Sequence, residues 1–165
     1  METSEQTAMV DRGRDRDIAL RVYPGLRRFA ASVGPVGGEP DDLVQEALRR
    51  TLQGGSLTRL EDPNQFLRRV ILNLARNEVR RKGRESAALL RATEPEGHHD
   101  VYDSDTRLLD ILAPATRAVL YLSAIEGLSS RNIAELLGIS EVAVRVRLMR
   151  GRRQLKSIYE DQVDP

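Results

Sequence analysis

The apolar residues of this chain recur with the period of an α-helix through most of its length. They follow helical spacing from Ile18 to Val33, from Leu43 to Leu52, from Phe66 to Ala75, and again after Pro114. No run alternates apolar and polar residues between hairpin turn signals, as a half-buried strand would. The pattern therefore predicts an all-α fold in which amphipathic helices bury their apolar faces against one another.

Turn and capping residues mark where the first three helices begin and end. Glycine-rich turns at residues 34–38 and 54–55 end the first two helices. Asp62 is a suitable cap for the third helix, and Gln65 follows it at the spacing of a capping box. A basic run that finishes at Gly83 ends the third helix. Three such helices predict an N-terminal helical bundle.

Charge is distributed unevenly, although 26 Lys and Arg nearly balance 25 Asp and Glu. Seven basic residues lie between Leu67 and Arg84 and six between Glu141 and Ser157, each block with one acidic residue. Two basic blocks predict two surfaces that bind a polyanion, and the acidic stretch from Ala92 to Thr106 predicts a flexible linker. The predicted boundaries are residues 15–85 for the N-terminal domain, 86–106 for the linker and 107–158 for the C-terminal domain.

The segment from Ser129 to Leu155 has the spacing of a helix-turn-helix. Ser129 or Ser130 can cap a short helix, Gly138 can end it in the left-handed conformation, and Ser140 can cap the next helix. With the helices before it, this motif predicts a four-helix C-terminal domain whose last helix enters the major groove of DNA.

The exposed face of that last helix supplies the predicted contacts with duplex DNA. An arginine near its start, Arg145, can hold a guanine edge through two hydrogen bonds, and Val146 or Met149 can contact a thymine methyl. Arginines and a lysine on the flanks, among them Arg152 and Lys156, suit phosphates. The predicted contacts with duplex DNA are Val142, Arg145, Val146, Arg147, Met149, Arg150 and Arg153.

Three stretches of the sequence together resemble a known family. They are Asp41–Ala47 (DDLVQEA), Phe66–Arg81 (FLRRVILNLARNEVRR) and Leu128–Ser140 (LSSRNIAELLGIS) with its continuation to Arg150. The chain resembles a bacterial RNA polymerase sigma factor of the extracytoplasmic-function (ECF) group over residues 18–157. The resemblance implies an alternative sigma factor that binds core RNA polymerase and directs promoter recognition and transcription initiation. It also implies an anti-sigma factor as a possible partner.

The resemblance implies that the predicted duplex contacts of the last helix, here called the upstream set, bind the upstream promoter element. It also implies roles for the N-terminal helices. Asp42, Gln45, Glu46 and Arg49 fall on one face of the second helix. Such a face is usually only solvated, but in the family it docks on core polymerase. The family uses the following loop, here Gly55–Asn64, and the third helix to recognise downstream promoter DNA as an opened single strand. The implied contacts on that helix are Asn73, Arg76, Asn77, Arg80 and Arg81.

Three departures from the family pattern concern promoter preference. Phe66 stands where the family often has Trp, and Asn132 stands where it often has Glu. Val146 replaces a hydroxyl residue on the recognition helix, so it cannot form a hydrogen bond with a base. We therefore expect the family fold with an unusual upstream element.

Two other classes of function are compatible with parts of the sequence. A helix-turn-helix regulator could bind DNA without polymerase, its N-terminal helices serving dimerisation. An enzyme has little support, because the chain has no Cys and its only histidines, His98 and His99, are adjacent in the acidic stretch. We expect no catalytic activity, no metal and no cofactor, and, since no apolar stretch could span a membrane, a cytoplasmic protein.

Overall fold

The prediction of an all-α fold is confirmed by a computed structural model, which describes residues 2–35, 37–92 and 111–163. Within those ranges there are six α-helices, one short 3-10 helix and no strand. The helices are α1 (Glu2–Val33), α2 (Pro40–Gly54), the 3-10 helix (Leu57–Arg59), α3 (Pro63–Ala92), α4 (Pro114–Ala124), α5 (Ser130–Leu137) and α6 (Glu141–Val163). Most of the predicted linker, and the segment before Ile111 that would hold a further C-terminal helix, lie outside the described residues.

Helices α1, α2 and α3 pack against one another and form an N-terminal unit. Each places its apolar stripe inward, so that Leu26 and Phe29 of α1 meet Val44 of α2 and Leu67 and Ile71 of α3 in a core without solvent exposure. The predicted cap of α3 is present, since the backbone N–H of Gln65 donates to Asp62 Oδ1 over 2.9 Å. The apolar faces of these three helices therefore pack inward, as their sequence periodicity predicts.

Helices α4, α5 and α6 form a C-terminal unit that contains the predicted helix-turn-helix. Ser129 accepts a hydrogen bond from the N–H of Asn132, and Ser140 accepts one from the N–H of Ala143. Between them Gly138 ends α5 with φ 66° and ψ 40°, in the left-handed region. Of the two serines proposed to cap α5, Ser129 has that position.

The two units share one continuous hydrophobic core. Phe29 of α1 and Tyr121 of α4 make an edge-to-face contact, with ring centroids 6.1 Å apart and an interplanar angle of 68°. Buried Val119 and Leu122 of α4 belong to the same apolar cluster as the N-terminal core. The C-terminal unit therefore lies directly against α1 and α3.

Several local expectations were wrong. Helix α3 continues through Gly83 to Ala92, so the first residues of the predicted linker are helical. The sequence after Gly83, with Ala and Leu, has good helix propensity, and a single glycine does not outweigh it. Phe66, Leu52 and Ile125, placed in apolar stripes, are exposed side chains.

Candidate functional site

The face of α2 predicted to dock on a partner is accessible and partly self-neutralised. Asp42, Gln45 and Arg49 are exposed, and Glu46 is half-buried. Arg49 donates two hydrogen bonds of 2.8 Å to the Glu46 carboxylate, and Arg50 donates another. These bonds lower the pKa of Glu46 to about 2. Asp42 and Gln45 therefore provide the exposed polar part of this face that is not engaged by Arg49 and Arg50.

Asp41, next to that face, was not predicted as a functional residue, and it joins α2 to α1. Tyr23 donates a 2.7 Å hydrogen bond to Asp41 Oδ1, and Arg27 Nε lies 3.1 Å from the same carboxylate. Hydrogen bonds from Tyr23 and then Arg27 lower the pKa of Asp41, while its carboxylate raises the pKa of Tyr23. This contact fixes the start of α2, where the docking face begins.

The predicted downstream contacts lie along α3, with unequal accessibility. Asn73, Asn77 and Arg80 are exposed, and Asn77 and Arg80 line one open groove together with Arg84. Arg84 was not in the predicted set, although it lies in the same basic block. The groove offers side chains of the kind that hold a phosphate backbone.

Neighbouring residues limit how far the other two predicted residues on α3 are available to bind DNA. Arg81 is ion-paired with Glu78 at 2.6 Å and with Glu85 at 2.7 Å. Arg76 is half-buried, and burial, together with the positive charges of Arg147 and Arg80, lowers its pKa. Arg76 therefore lies where the two units meet.

The loop before α3 is held in place by a residue of α1 that sequence reasoning missed. Ser56 Oγ donates a 2.7 Å hydrogen bond to Asp15 Oδ1, and the N–H of Thr58 lies 3.3 Å from the same oxygen. Leu57 between them is fully buried. Forty-one residues separate Ser56 from Asp15, so no local signal could have indicated this contact.

The recognition helix α6 presents most of its predicted contacts to solvent. Val142 is 70% exposed and Met149 57% exposed, and Arg145 lies on the same face. The Arg145 guanidinium is 2.6 Å from the Glu141 carboxylate one turn earlier. Arg150 and Arg153 are exposed as well, and Val146 is half-buried. This face has the width and chemistry to lie in a major groove.

Arg147 departs from the rest of the predicted upstream set. It is half-buried, donates to the backbone carbonyl of Ala143 over 3.2 Å, and lies close enough to Arg76 to repel its charge. The structure brings Arg147 to the boundary with the N-terminal unit, whereas Met149, Arg152, Arg153 and Lys156 line a separate open groove.

Comparison with known proteins assigns the family. A family model described as "Sigma-70 region 2" matches residues 18–85, and one described as "Sigma-70, region 4" matches residues 106–155. The chain is 31% identical to the RNA polymerase sigma factor CarQ of Myxococcus xanthus, over 86% of this chain and 87% of that protein. The chain belongs to the RNA polymerase sigma factors.

Two further relatives of this sigma factor are described as ECF sigma factors. It is 32% identical to the ECF RNA polymerase sigma factor SigE of Mycolicibacterium smegmatis over 86% of its own length, and it spans 58% of that protein. It is 28% identical to the ECF RNA polymerase sigma factor EcfG of Rhodopseudomonas palustris, over 87% of this chain and 83% of that one. The chain is an alternative sigma factor that directs promoter recognition for transcription.

Two solved structures resemble this sigma factor. The sigma factor RpoE in complex with the anti-sigma factor NepR, from Bartonella quintana, has a TM-score of 0.65 at 24% identity, over 91% of this chain and 98% of that one, and shows the shared fold. CnrH in complex with the cytosolic domain of CnrY has a TM-score of 0.60 at 25% identity, over 95% and 94%. Regions 2 and 4 imply core RNA polymerase and promoter DNA as partners.

Two features are absent from the described part of this sigma factor. None of its helices is long and apolar enough to cross a membrane. Its side chains form no cluster of three or more His, Cys, Asp or Glu suited to a metal ion. His98 and His99 lie outside the described residues.

Proposed function

We propose that residues 15–85 hold core polymerase and the opened downstream strand, while residues 107–158 hold the upstream duplex element and residues 86–106 connect them. One observation supports this division most directly. The docking face of α2 and the recognition face of α6 are both accessible, and each lies in the segment that matches a different sigma region.

Polymerase binding by α2 is supported by the chemistry of its exposed face. Asp42 and Gln45 can pair with basic and amide groups of a partner helix. The Glu46 carboxylate can move from Arg49 to a partner cation, because exposed ion pairs contribute little stability and exchange readily. Electrostatic attraction of this kind governs association rate and orientation.

DNA binding by α3 and α6 is supported by the distribution of exposed arginines. On α6, Arg145 is close to the helix N-terminus, where side chains reach base edges, and its ion pair with Glu141 sets its direction. On α3, Arg80 and Arg84 border an open groove beside Asn77, which suits a single strand held by its phosphates.

Transcription with purified core polymerase tests the proposal. Core plus this chain should give promoter-directed transcript, and core alone should not. Glu46→Lys should reduce core affinity and transcript while the protein remains folded, because Lys would repel Arg49 and Arg50 and the partner's basic groups. Glu160→Lys, the same charge change on exposed α6, is the control for folding and for core affinity. If Glu46→Lys bound core polymerase as tightly as the unmodified chain, the assignment of α2 to the polymerase interface would be wrong.

A second variant separates upstream recognition from polymerase binding. Arg145→Ala should weaken binding to the upstream element by about 1–3 kcal/mol and relax base preference there, with core affinity unchanged. A chain that binds duplex DNA alone but never core polymerase would instead be a helix-turn-helix regulator.

We infer three further properties at the same level. An anti-sigma factor is a partner of this chain. This inference is supported by the likeness of the chain to RpoE, which was solved in complex with the anti-sigma factor NepR. Co-elution of the purified chain with a purified anti-sigma factor tests it. The place of action is the cytoplasm, where polymerase and promoter DNA meet. We expect no catalytic activity of the chain itself, which transcription assays without core polymerase check.

A further inference from the structure

The hydroxyl group of Tyr23 in α1 lies between two side chains of α2. It donates a 2.7 Å hydrogen bond to Asp41 Oδ1, and Arg27 Nε donates to both oxygens of the same carboxylate over 3.1 Å. Gln45 follows Asp41 by four residues, so the two side chains are neighbours on one side of α2. The Tyr23 hydroxyl is therefore located where the docking face of α2 meets α1.

The pKa of Tyr23 indicates how the Gln45 amide is oriented against this hydroxyl. The hydrogen bond to Asp41 is the main cause of the raised pKa of Tyr23, and a hydrogen bond with the Gln45 side chain acts in the opposite direction. A hydrogen bond lowers the pKa of a phenol when it is donated to the phenol oxygen, because it stabilises the phenolate. The amide N–H group is the only donor of a glutamine side chain. The amide nitrogen of Gln45 therefore points to Tyr23.

This orientation determines what Gln45 offers to a partner. With its nitrogen on the Tyr23 hydroxyl, Gln45 has its carbonyl oxygen left to accept a hydrogen bond, and the residue is exposed. Asp42, three residues earlier, is exposed as well and has only acceptor oxygens when ionised. Neighbouring acceptors of this kind match a cationic side chain, above all the planar guanidinium of an arginine, which can donate to two acceptors at once.

We propose that Tyr23 is a positioning residue for polymerase binding, whose hydroxyl orients the Gln45 amide so that its carbonyl oxygen, together with Asp42, accepts hydrogen bonds from a cationic side chain of the partner. The inference rests on the proposed function, in which the docking face of α2 binds core polymerase. Asp41 and Arg27 hold the hydroxyl in place without contacting the partner. A phenylalanine at position 23 would keep the ring and leave the Gln45 amide free to rotate.

A double-mutant cycle on binding to core polymerase tests the proposal. Tyr23→Phe, which removes one hydroxyl, should weaken the affinity of the full chain for core about fivefold. Gln45→Met, which removes the amide at similar side-chain length, should weaken it about tenfold. The double variant should bind as Gln45→Met does, since Tyr23 acts only through Gln45. Tyr159→Phe removes an exposed hydroxyl from α6 and is the matched control.

The cycle separates positioning of Gln45 from a general effect on the packing of α2. A shift of the whole helix would also displace Asp42 and Glu46, so Tyr23→Phe would then weaken binding further in the Gln45→Met background. Additive effects would therefore overturn the proposal. Full core affinity of Tyr23→Phe, with Gln45→Met weakened, would overturn it and leave the proposed function intact. Full affinity of Gln45→Met would contradict the docking role of Gln45 and the proposal together.

A second pair of variants changes the acceptor that holds the hydroxyl. Asp41→Asn and Asp41→Ala both remove the negative charge, but only asparagine keeps an oxygen that can accept from Tyr23. Core affinity should fall about fivefold in Asp41→Ala and should be largely retained in Asp41→Asn. Equal losses in the two variants would mean that the charge of Asp41, and not the hydroxyl it holds, supports binding, and would overturn the proposal.

NMR of the free chain follows the hydroxyl and the amide without polymerase. Tyr23 should titrate above the ordinary pKa of a tyrosine, and Asp41→Asn should lower that pKa, because the carboxylate that disfavours the phenolate is removed. The side-chain N–H signals of Gln45 should shift in Tyr23→Phe and remain in place in Tyr159→Phe. Gln45 signals that do not respond to Tyr23→Phe would overturn the orientation of the amide, whatever the role of α2 in polymerase binding.

Discussion

The ionisation of Glu46 is the clearest consequence of local geometry at the residue scale. Arg49 and Arg50 follow it by three and four residues, so both guanidinium groups reach one carboxylate from the next helical turn. The carboxylate is thereby stabilised in its charged form, and its pKa falls from 4.5 to about 2. The Glu46 carboxylate therefore remains charged well below the ordinary pKa of a glutamate.

We expect NMR of the side-chain carboxyl carbon to show Glu46 titrating near pH 2. Because the folded pKa is depressed, the stabilising contribution of the cluster is complete above the ordinary value of 4.5 and is lost as pH falls through about 2. Arg49→Gln should raise the pKa of Glu46, and Arg28→Gln should not. Titration of Glu46 at its ordinary value in the unmodified protein would show that the two arginines do not engage it in solution.

Gly138 requires a backbone conformation that other residues adopt at a cost. Its φ of 66° is in the left-handed region, and a Cβ would also lie 3.5 Å from the Arg69 guanidinium. Gly138→Ala should therefore lower the free energy of unfolding by about 1–2 kcal/mol, measured in urea. Gly25→Ala, inside α1 with ordinary contact distances, should instead raise it by about 0.5–1 kcal/mol. Equal effects at the two sites would contradict the conformational argument.

At the scale of the elements, the closeness of α4 and α6 depends on one glycine. A Cβ on Gly151 would be 2.7 Å from Thr116 Cγ2 and 2.9 Å from Leu120 Cδ1. Close approach at this point lets the recognition helix pack on α4 while its opposite face stays exposed.

A double-mutant cycle measures that contact. Gly151→Ala should destabilise the protein by about 1–3 kcal/mol, because neighbouring side chains must move. In a Thr116→Ala background the cost should fall by about 1 kcal/mol or more, since only the flexible end of Leu120 then remains in the way. Gly83→Ala, with open space around it, should stabilise α3. Additive effects of Gly151→Ala and Thr116→Ala would rule out the steric explanation.

Features of single elements were largely predictable, because their causes are local. Gly138, Ser140 and Asp62 act on backbone groups within a few residues, so sequence spacing identifies them. The C-terminal end of α3 was not predictable. A basic run followed by glycine is typical of a helix end, but the residues after Gly83 have good helix propensity and continue the helix. The exposure of Phe66 depends on which helices pack on α3, and periodicity alone does not contain that information.

For the whole molecule, the sequence predicted two basic surfaces but not how the units meet. Arg76 of α3 and Arg147 of α6 are close enough for the charge of Arg147 to lower the pKa of Arg76. The hydrogen-bond partners of Arg68, Arg69 and Arg117 in the opposite unit lie 58 to 84 residues away along the chain. No local rule predicts such pairs, since they arise only when α3 and α5 pack and α4 reaches the end of α1.

A core that runs through both units has a consequence for unfolding. Phe29 and Tyr121 pack edge to face across the boundary, and the apolar cluster is continuous around them. We expect one cooperative urea transition, with amide signals of Ile71 in α3 and Leu148 in α6 lost at the same midpoint. Tyr121→Ala should lower both midpoints together, corresponding to about 2 kcal/mol, because the ring stabilises both sides of the boundary.

The matched control for that change is Tyr159→Ala, which removes an exposed ring from the C-terminal unit alone and should leave both midpoints in place. If Tyr121→Ala lowered only the Leu148 midpoint, the two units would be unfolding independently, and the contact of Tyr121 with Phe29 would not couple their stabilities. A shared transition instead means that the continuous core stabilises the two units as one cooperative structure.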